Sequence, residues 1–442
     1  MNILHPALET LIRERPALAG MEKDLQAALD ILLTGFRHGG KLLLCGNGGS
    51  ACDCEHIAGE LMKGFLLPRP LTAGEKAALA SAGDGDGAIA ASLQRALPVL
   101  VLHGLSGMPW NILSDLPYTK LYEKIDQSID YMYYLNDQPL PELEGKGYYN
   151  NSIQYIEPYR TWLIHFTKAW GEYLSMAVSW NEDYYQMALA DDRFGLSKGW
   201  YESPDNWHSF NDFFSRYLVS PDVRPIASPE DASVVVAPAD SKPQGVWAID
   251  ENSNIVQQGG VQIKSEYFNS IPNLLGPGCA YADAFAGGTL THTFLDVNDY
   301  HRYHFPVSGT VKEVRIIPAD DAAGGITQWD ADLGKYVLLD ETPGWQTIET
   351  RGCVILDTDK YGLVAVMPIG MSQVSSVNFE DSVQVGAQVK KGDMLGTFLF
   401  GGSDIVMLFQ KQVDFAMLAT PDGDAGYLHL LMGEAYGQLT MK

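Results

Sequence analysis

The chain has 442 residues and a formal net charge of −25, enough length for two or three domains. That charge excludes a protein built to grip the phosphates of DNA or RNA, which need Lys and Arg, and it disfavours electrostatic docking on an anionic membrane face. No stretch holds the roughly eighteen apolar residues of a membrane span, and "MNILHPALETLIRERPAL" lacks the apolar core of a signal peptide. The five cysteines, Cys45, Cys52, Cys54, Cys279 and Cys353, are an odd count without a disulfide-like framework. Cys52 and Cys54 are too close for a metal knuckle, so buried thiols, no metal centre and a reduced, cytoplasmic protein are expected.

Residues 1–104 have an α/β texture. In "DLQAALDILLTGFRHGG", Leu25, Ala28, Leu29, Leu32 and Phe36 fall on one face at helical spacing, and Gly39 and Gly40 stop the helix. "KLLLC" reads as a short buried strand, "GNGGS" as a tight loop and "ACDCEHIAGELM" as a helix. A glycine loop between strand and helix can cradle a phosphate, because backbone N–H groups and the helix dipole favour anions. His56 and Glu60 are four apart on one helix face, where they are either an acid–base or metal pair or a half-exposed polar face.

The stretch "GGKLLLCGNGGSACDCEHIAGELMKGF" resembles sedoheptulose-7-phosphate isomerase, of the sugar-isomerase fold. The resemblance implies a phosphate-binding role for Ser50 and metal-binding or catalytic roles for His56 and Glu60. It covers about half of such an enzyme, and the second phosphate loop and late His of that family have no counterpart after "LQRALPVLVLHG". Half of an open parallel sheet exposes an edge and lacks half of its site. The expectation is a truncated segment: a remnant, a fusion or an oligomerisation piece, the last implying a homo-oligomer.

Residues 105–208 begin with the Gly/Ser-rich step "HGLSGMPW", a domain junction, and continue as a helical domain rich in Tyr and Trp. In "EPYRTWLIHFTKAWGEYLSM", Trp162, Phe166, Ala169, Trp170, Tyr173 and Ala177 share a face, the pattern of core or domain interface, and His165 beside them reads as structural.

Residues 209–442 turn to β-branched runs separated by Gly, Asp and Pro: "ASVVVAPAD", "GTVKEVRIIP", "CVILDTDKYGLVAVMPIG" and "VQVGAQVKKGDMLGTFLF". The third predicts a hairpin through Asp357–Gly362. The fourth resembles the turn of barrel-sandwich domains such as lipoyl carriers, in which "KKGD" closes a hairpin. The fold class expected for the whole chain is α+β: a β-rich barrel-sandwich domain preceded by a helical domain and the truncated α/β segment.

Chemistry concentrates in this last region. "NDYHRYHFPVSGTV" carries His301 and His304, "VVVAPADS" carries Asp240 at a strand end, and "FLFGGSDIVMLF" interrupts an apolar run with Gly401, Gly402 and Ser403. Two histidines three apart can bind metal, but no third ligand is evident. A His can instead act as general base, with an Asp holding its tautomer and a Ser as nucleophile, and Asp240, His304 and Ser403 supply those types. The bland alternative is two hydrogen-bonded histidines and a glycine bulge.

The motifs "FNDFFSRYL…RPI", "APADS", "DYHRYHFPVSGTV" and "GDMLGTFLFGGS" occur in the order and spacing of phosphatidylserine decarboxylases, across roughly residues 209–442. The resemblance implies a pyruvoyl-dependent carboxy-lyase made as a self-cleaving zymogen. The cut falls between Gly402 and Ser403, Asp240–His304–Ser403 is the processing trio, and His301 is the substrate-site histidine. In that chemistry Ser403 Oγ attacks the Gly402 carbonyl, with His304 taking the proton and Asp240 steadying the imidazole. Elimination and hydrolysis then leave a covalent pyruvoyl group at position 403. The ketone forms a Schiff base with a substrate amine and becomes the electron sink for loss of CO2. His301 or His304 reprotonates the product. Phe398, Phe400 and Met367 are candidates for an apolar wall at the substrate, with core packing as the alternative.

Two departures stand out. The family commonly has LGST or GGSS at the cut, whereas Asp404 here follows Ser403 and sets a negative charge beside a developing oxyanion, either slowing processing or taking part in it. Ser241 stands where a glycine is usual. The substrate implied is a phospholipid amine, phosphatidylserine, as in phospholipid biosynthesis. The alternative is a small-molecule amine, a free L-amino acid, because "LIHFTKAWGEYL" followed by "GW" resembles soluble L-tryptophan decarboxylases. A cytoplasmic enzyme, peripheral to the membrane in the lipid case, fits both; the remaining alternatives are a sugar-phosphate isomerase and an unprocessed, non-catalytic protein.

Overall fold

The computed structural model describes residues 5–37, 42–46, 76, 99–103, 157, 159–256, 262–263, 266–267, 269–319, 327–331, 333–338, 342–371, 376–399, 403–423 and 426–442. They belong to two compact units, Met1–Ile129 and Asp130–Lys442.

In the first unit the helices Pro6–Glu14 and Glu22–Arg37 precede the strand Leu42–Gly46, which pairs in parallel with Val99–His103. Parallel neighbours require a crossover connection, the connectivity of an α/β arrangement. Ser50, His56 and Glu60 lie outside the described residues.

The second unit opens with the helices Tyr159–Leu174 and Glu182–Ala190, the latter capped by Asn181, whose side chain accepts the Tyr184 N–H at 3.0 Å. The aromatic face read from sequence is half-buried rather than core. Tyr159, Trp162, Phe166, Trp170 and Tyr173 stack on one another in a ladder, while Leu163, Thr167 and Leu174 take the buried face, and His165 is exposed.

An eight-stranded antiparallel sheet dominates the unit. Its order is Gln388–Val389, Gly309–Ile317, Thr350–Asp357, Leu363–Gly370, Ser403–Phe409, Thr289–Leu295, Lys242–Ile249 and Ile255–Val256. Two-residue strands close both edges, which limits edge-to-edge pairing. The result is α+β. The described strands form open sheets and no closed barrel, so the barrel of the expected barrel-sandwich is not formed by them.

The hairpin expected at Asp357–Gly362 is present, with Thr358 N–H donating to Gly362 O at 3.1 Å. The Lys390–Asp393 turn differs from expectation. It joins an edge strand of the large sheet to Met394–Thr397, which pairs with Arg302–His304 in a separate three-stranded sheet, so it links two sheets instead of closing a hairpin.

Every residue of Ser403–Phe409 is buried, as expected of a central strand covered on both faces. One face packs Val406 and Leu408 with Met367, Ile369, Leu274 and Trp345. The other bears Ser403, and there Phe409 stacks on Phe415 with ring centroids 4.8 Å apart. Full burial of side chains of this size stabilises by about 1.5–3 kcal/mol each.

Gly396 lies opposite Tyr303 in the strand pairing, and a Cβ there would sit 2.0 Å from the Asn378 carbonyl oxygen. Gly396→Ala is therefore expected to lower the urea midpoint by an amount equivalent to roughly 1–3 kcal/mol, and to disturb the strand carrying the histidine motif.

Candidate active site

The central strand Ser403–Phe409 begins at Ser403, which is fully buried. In strand register Ser403 lies between Gly370 and Leu295. Its Oγ is 3.4 Å from Nδ1 of His301. On the far edge of the ring, His301 Nε2 lies 3.0 Å from the Asp296 carbonyl oxygen. A carbonyl only accepts, so Nε2 carries the proton and a neutral ring presents the Nδ1 lone pair to the Ser403 hydroxyl. Phe214, from the short helix Phe210–Phe214, stacks on the imidazole at 3.8 Å between centroids. Burial, helped by the Arg216 charge, pushes the His301 pKa down to about 3, so the ring stays neutral and basic in form at physiological pH.

His304 is placed differently. Its Nδ1–H donates to the Gly392 carbonyl at 2.8 Å, leaving Nε2 to accept the Tyr300 hydroxyl at 3.2 Å. Burial lowers its pKa to about 4, against the partly restoring Gly392 carbonyl and Asp240 charge. Asp240 forms a bidentate pair with Arg224, at 3.0 and 2.6 Å, and accepts the Met432 N–H at 2.8 Å. The structure thus sorts the expected Asp240–His304–Ser403 trio into two arrangements. Asp240 is tied to Arg224, His304 to Tyr300 and Gly392, and the imidazole bonded to Ser403 is that of His301. An extended chain alternates its side chains, so residues three apart point to opposite sides, and His301 and His304 diverge for that reason.

The same alternation separates Ser403 from Asp404. The Asp404 carboxylate lies on the opposite face of the sheet, fully buried, with Oδ2 accepting Gln346 Nε2–H at 2.8 Å and Oδ1 3.1 Å from His292 Nδ1. Gln346 is oriented for this by the Gly344 N–H on its own Oε1, at 2.7 Å. Trp247 stacks on His292 at 5.1 Å between centroids, over Gly245, where a Cβ would strike the Trp247 ring. Asp404 is therefore an anchor of the strand on its core side and does not face the hydroxyl beside it.

Met367, a candidate for the substrate wall or for core packing, pairs with Val406 and takes the core position on the Asp404 face. Phe398 is buried against Tyr303 at 4.5 Å between centroids, and its N–H donates to the His301 carbonyl at 2.9 Å, which supports the histidine segment from behind. Ser241, the departure beside Asp240, is fully buried and accepts the Thr293 hydroxyl at 2.7 Å. Gly402 and Phe400 lie outside the described residues. Sequence reasoning missed Tyr300, Arg224, His292 and Gln346. Tyr300 and Arg224 stand inside quoted motifs, whereas a lone His in "TLTHTFL" and a Gln in a short turn carry no local signal.

A family model described as phosphatidylserine decarboxylase matches residues 210–438. Among similar proteins, phosphatidylserine decarboxylase proenzyme 2 of Oryza sativa subsp. japonica is 34% identical over 209 residues, covering 47% of this chain and 30% of that protein. The phosphatidylserine decarboxylase proenzyme of Saccharophagus degradans is 32% identical over 225 residues, 47% of this chain and 71% of its own. Decarboxylase iboD of Amanita muscaria is 29% identical over 270 residues, 55% of this chain and 75% of its own.

Two outcomes follow from the geometry. His301 and His304 are held neutral well below the ordinary value of 6.5, so the unfolded chain binds protons that the folded one refuses as pH falls from 6.5 toward about 3 to 4. Stability should fall over that window, by about 5 kcal/mol for His301 and about 3 kcal/mol for His304 at full effect, and His301→Gln should flatten the slope in pH-dependent urea unfolding. Asp404→Ala orphans two buried polar groups and should cost roughly 1–3 kcal/mol for each. Thermal unfolding beside a denaturing gel should register this as lost stability, without faster chain cleavage.

Proposed function

The chain belongs to the phosphatidylserine decarboxylase family, a family of carboxy-lyases, and from that premise we propose that residues 209–442 are a catalytic domain that cuts itself between Gly402 and Ser403 and then decarboxylates an amine substrate. Residues 105–208 accompany it as a helical domain. The observation that carries the reading is the buried contact between Ser403 Oγ and the bare Nδ1 of a neutral His301. A serine becomes a nucleophile when an adjacent base can take its proton.

In the cut, His301 Nδ1 receives the Ser403 hydroxyl proton while Oγ attacks the Gly402 carbonyl, and glycine leaves that carbonyl uncrowded by a Cβ. The trio of Asp240, His304 and Ser403 is the second arrangement, reached only if His304 exchanges its Tyr300 bond for Ser403. The site's residues fit a pyruvoyl group at position 403: the position is buried and begins a strand paired on both sides. Such a group supplies an electrophilic carbonyl that takes up the electrons released with CO2. Around it, His301 is held by Asp296 and Phe214 so that the bare Nδ1 faces position 403 and can take up a proton there. The phenyl ring of Phe214 and the burial of the site disfavour a charged carboxylate relative to CO2.

Phosphatidylserine is the substrate that the family membership supports first. A free L-amino acid, tryptophan-like, is the second reading. In its favour, the decarboxylase of Amanita muscaria, whose name mentions no lipid, matches a larger share of this chain than the rice or Saccharophagus proteins. No helix among the described residues is long and apolar enough to cross a membrane.

Intact mass and a denaturing gel of the purified protein test the proposal. Two chains divided after Gly402, the smaller with a blocked pyruvoyl end, are expected, and Ser403→Ala should abolish both the division and CO2 release. One unbroken, inactive chain would refute it. His301→Ala should slow cleavage by about 10²–10⁴-fold; full cleavage in that variant together with none in His304→Ala would assign the proton to the Asp240–His304 trio instead. CO2 release from phosphatidylserine vesicles against that from tryptophan separates the two substrates.

A further inference from the structure

Cys279 and Cys353 are free thiols, the first half-buried and the second buried. Both sit on the core side of the large sheet, where Cys353 packs with Met367 and Val406 and Cys279 packs against that cluster. The decarboxylase chemistry uses neither.

Two arginines bring the thiols together. Arg315 is the direct cross-strand neighbour of Cys353, and its guanidinium donates to the carbonyls of Leu275 and Pro277, the latter at 2.7 Å. Arg351, two residues before Cys353 and so on the same face, donates to the Leu274 carbonyl at 2.6 Å. The helix Ile271–Leu275 is thereby fastened by its C-terminal carbonyls to the strand that bears Cys353, and the turn after it delivers Cys279. The two sulfurs and a Glu313 carboxylate oxygen all lie within 4.8 Å of one another. A disulfide needs the sulfurs at about 2.0 Å. Gly276 and Gly278, with φ of +77° and +82°, give the Cys279 turn backbone freedom to close that gap.

We propose that Cys279 and Cys353 form a reversible redox pair, in which a hydroperoxide oxidises Cys279 and Cys353 resolves it as an intramolecular disulfide. In the first step the Cys279 thiolate attacks a peroxide oxygen. The O–O bond breaks, the sulfur is oxidised to sulfenic acid, and hydroxide leaves. In the second, the Cys353 sulfur attacks the Cys279 sulfur, the S–S bond forms, the S–O bond breaks, and the hydroxide departs as water with the Cys353 proton. The balance is two thiols and one H2O2 to one disulfide and two waters, and a dithiol reverses it.

The environment favours Cys279 as the first to react. A hydrogen bond from Cys353, with a further one from the Tyr281 backbone against the cost of burial, lowers the Cys279 thiol to about 7, while Cys353 is held protonated. Cys279 is also the more accessible of the two. The trio with Glu313 has the donor types of a metal site, but the Glu313 carboxylate is already 2.7 Å from the Arg315 guanidinium and accepts the Ala280 N–H at 3.1 Å. A fixed cation at that carboxylate opposes a second one, so the disulfide is the better reading.

The test uses the full chain, treated with hydrogen peroxide at neutral pH, alkylated, digested without reductant and mapped by mass. A linked pair of Cys279 and Cys353 peptides, two hydrogens lighter than the free pair and lost on adding dithiothreitol, is expected. In Cys353→Ser, Cys279 should stop at a sulfenic acid that dimedone traps. In untreated protein, iodoacetamide labelling of Cys279 should titrate near pH 7. The proposal is overturned if both thiols stay alkylatable while Cys45, Cys52 or Cys54 oxidises. It is equally overturned if one equivalent of zinc co-purifies and shields both from alkylation. The wild-type peptide map decides the matter even if the serine variant does not fold.

Discussion

Alternation along one buried strand governs the catalytic unit. Ser403–Phe409 turns each successive side chain to the other face of the sheet. Ser403 thereby meets His301, while Asp404, one residue on, is carried to the core side and held by Gln346 and His292. A serine hydroxyl and a buried carboxyl anchor can then be chain neighbours and still face opposite sides of the sheet. A slip of one residue in register would exchange the two, which is why an anchor beside Ser403 is a sound place to pin the strand.

Burial does the electrostatic work on the reactive face. The imidazoles of His301 and His304 are kept neutral chiefly because water is excluded from them, and carbonyls of Asp296 and Gly392 decide which nitrogen carries the proton. Tautomer selection by a backbone acceptor is worth as much here as proximity, since only a bare Nδ1 can accept from Ser403. The buried Asp240–Arg224 pair joins residues far apart in sequence and leaves its charge near His304 without a direct bond to it.

The opposite face is fastened through main-chain carbonyls. Arg315 and Arg351 hold the Ile271–Leu275 helix to the sheet, and the same joint sets the Cys279 thiol beside Cys353. The buried Arg351 guanidinium is tolerated because its donors meet main-chain carbonyls, those of Leu274 and Asn273 in the helix and of Thr347 and Glu349 in its own segment.

Much of this protein was legible in its sequence. β-branched runs announced the sheet, the Asp357–Gly362 turn announced a hairpin, and four motifs in order announced the family. Local patterning and turn chemistry carry that information because they depend on neighbours in the chain. Tertiary structure alone decided which histidine meets Ser403, that Lys390–Asp393 bridges two sheets, and that Asp404 is an anchor. Each of these depends on which strands pair and in what register, a property of residues distant in sequence. The residue types at positions 301, 304, 403 and 404 name the possible chemistry, and the pairing of Ser403–Phe409 with its two neighbours selects the faces on which it can occur.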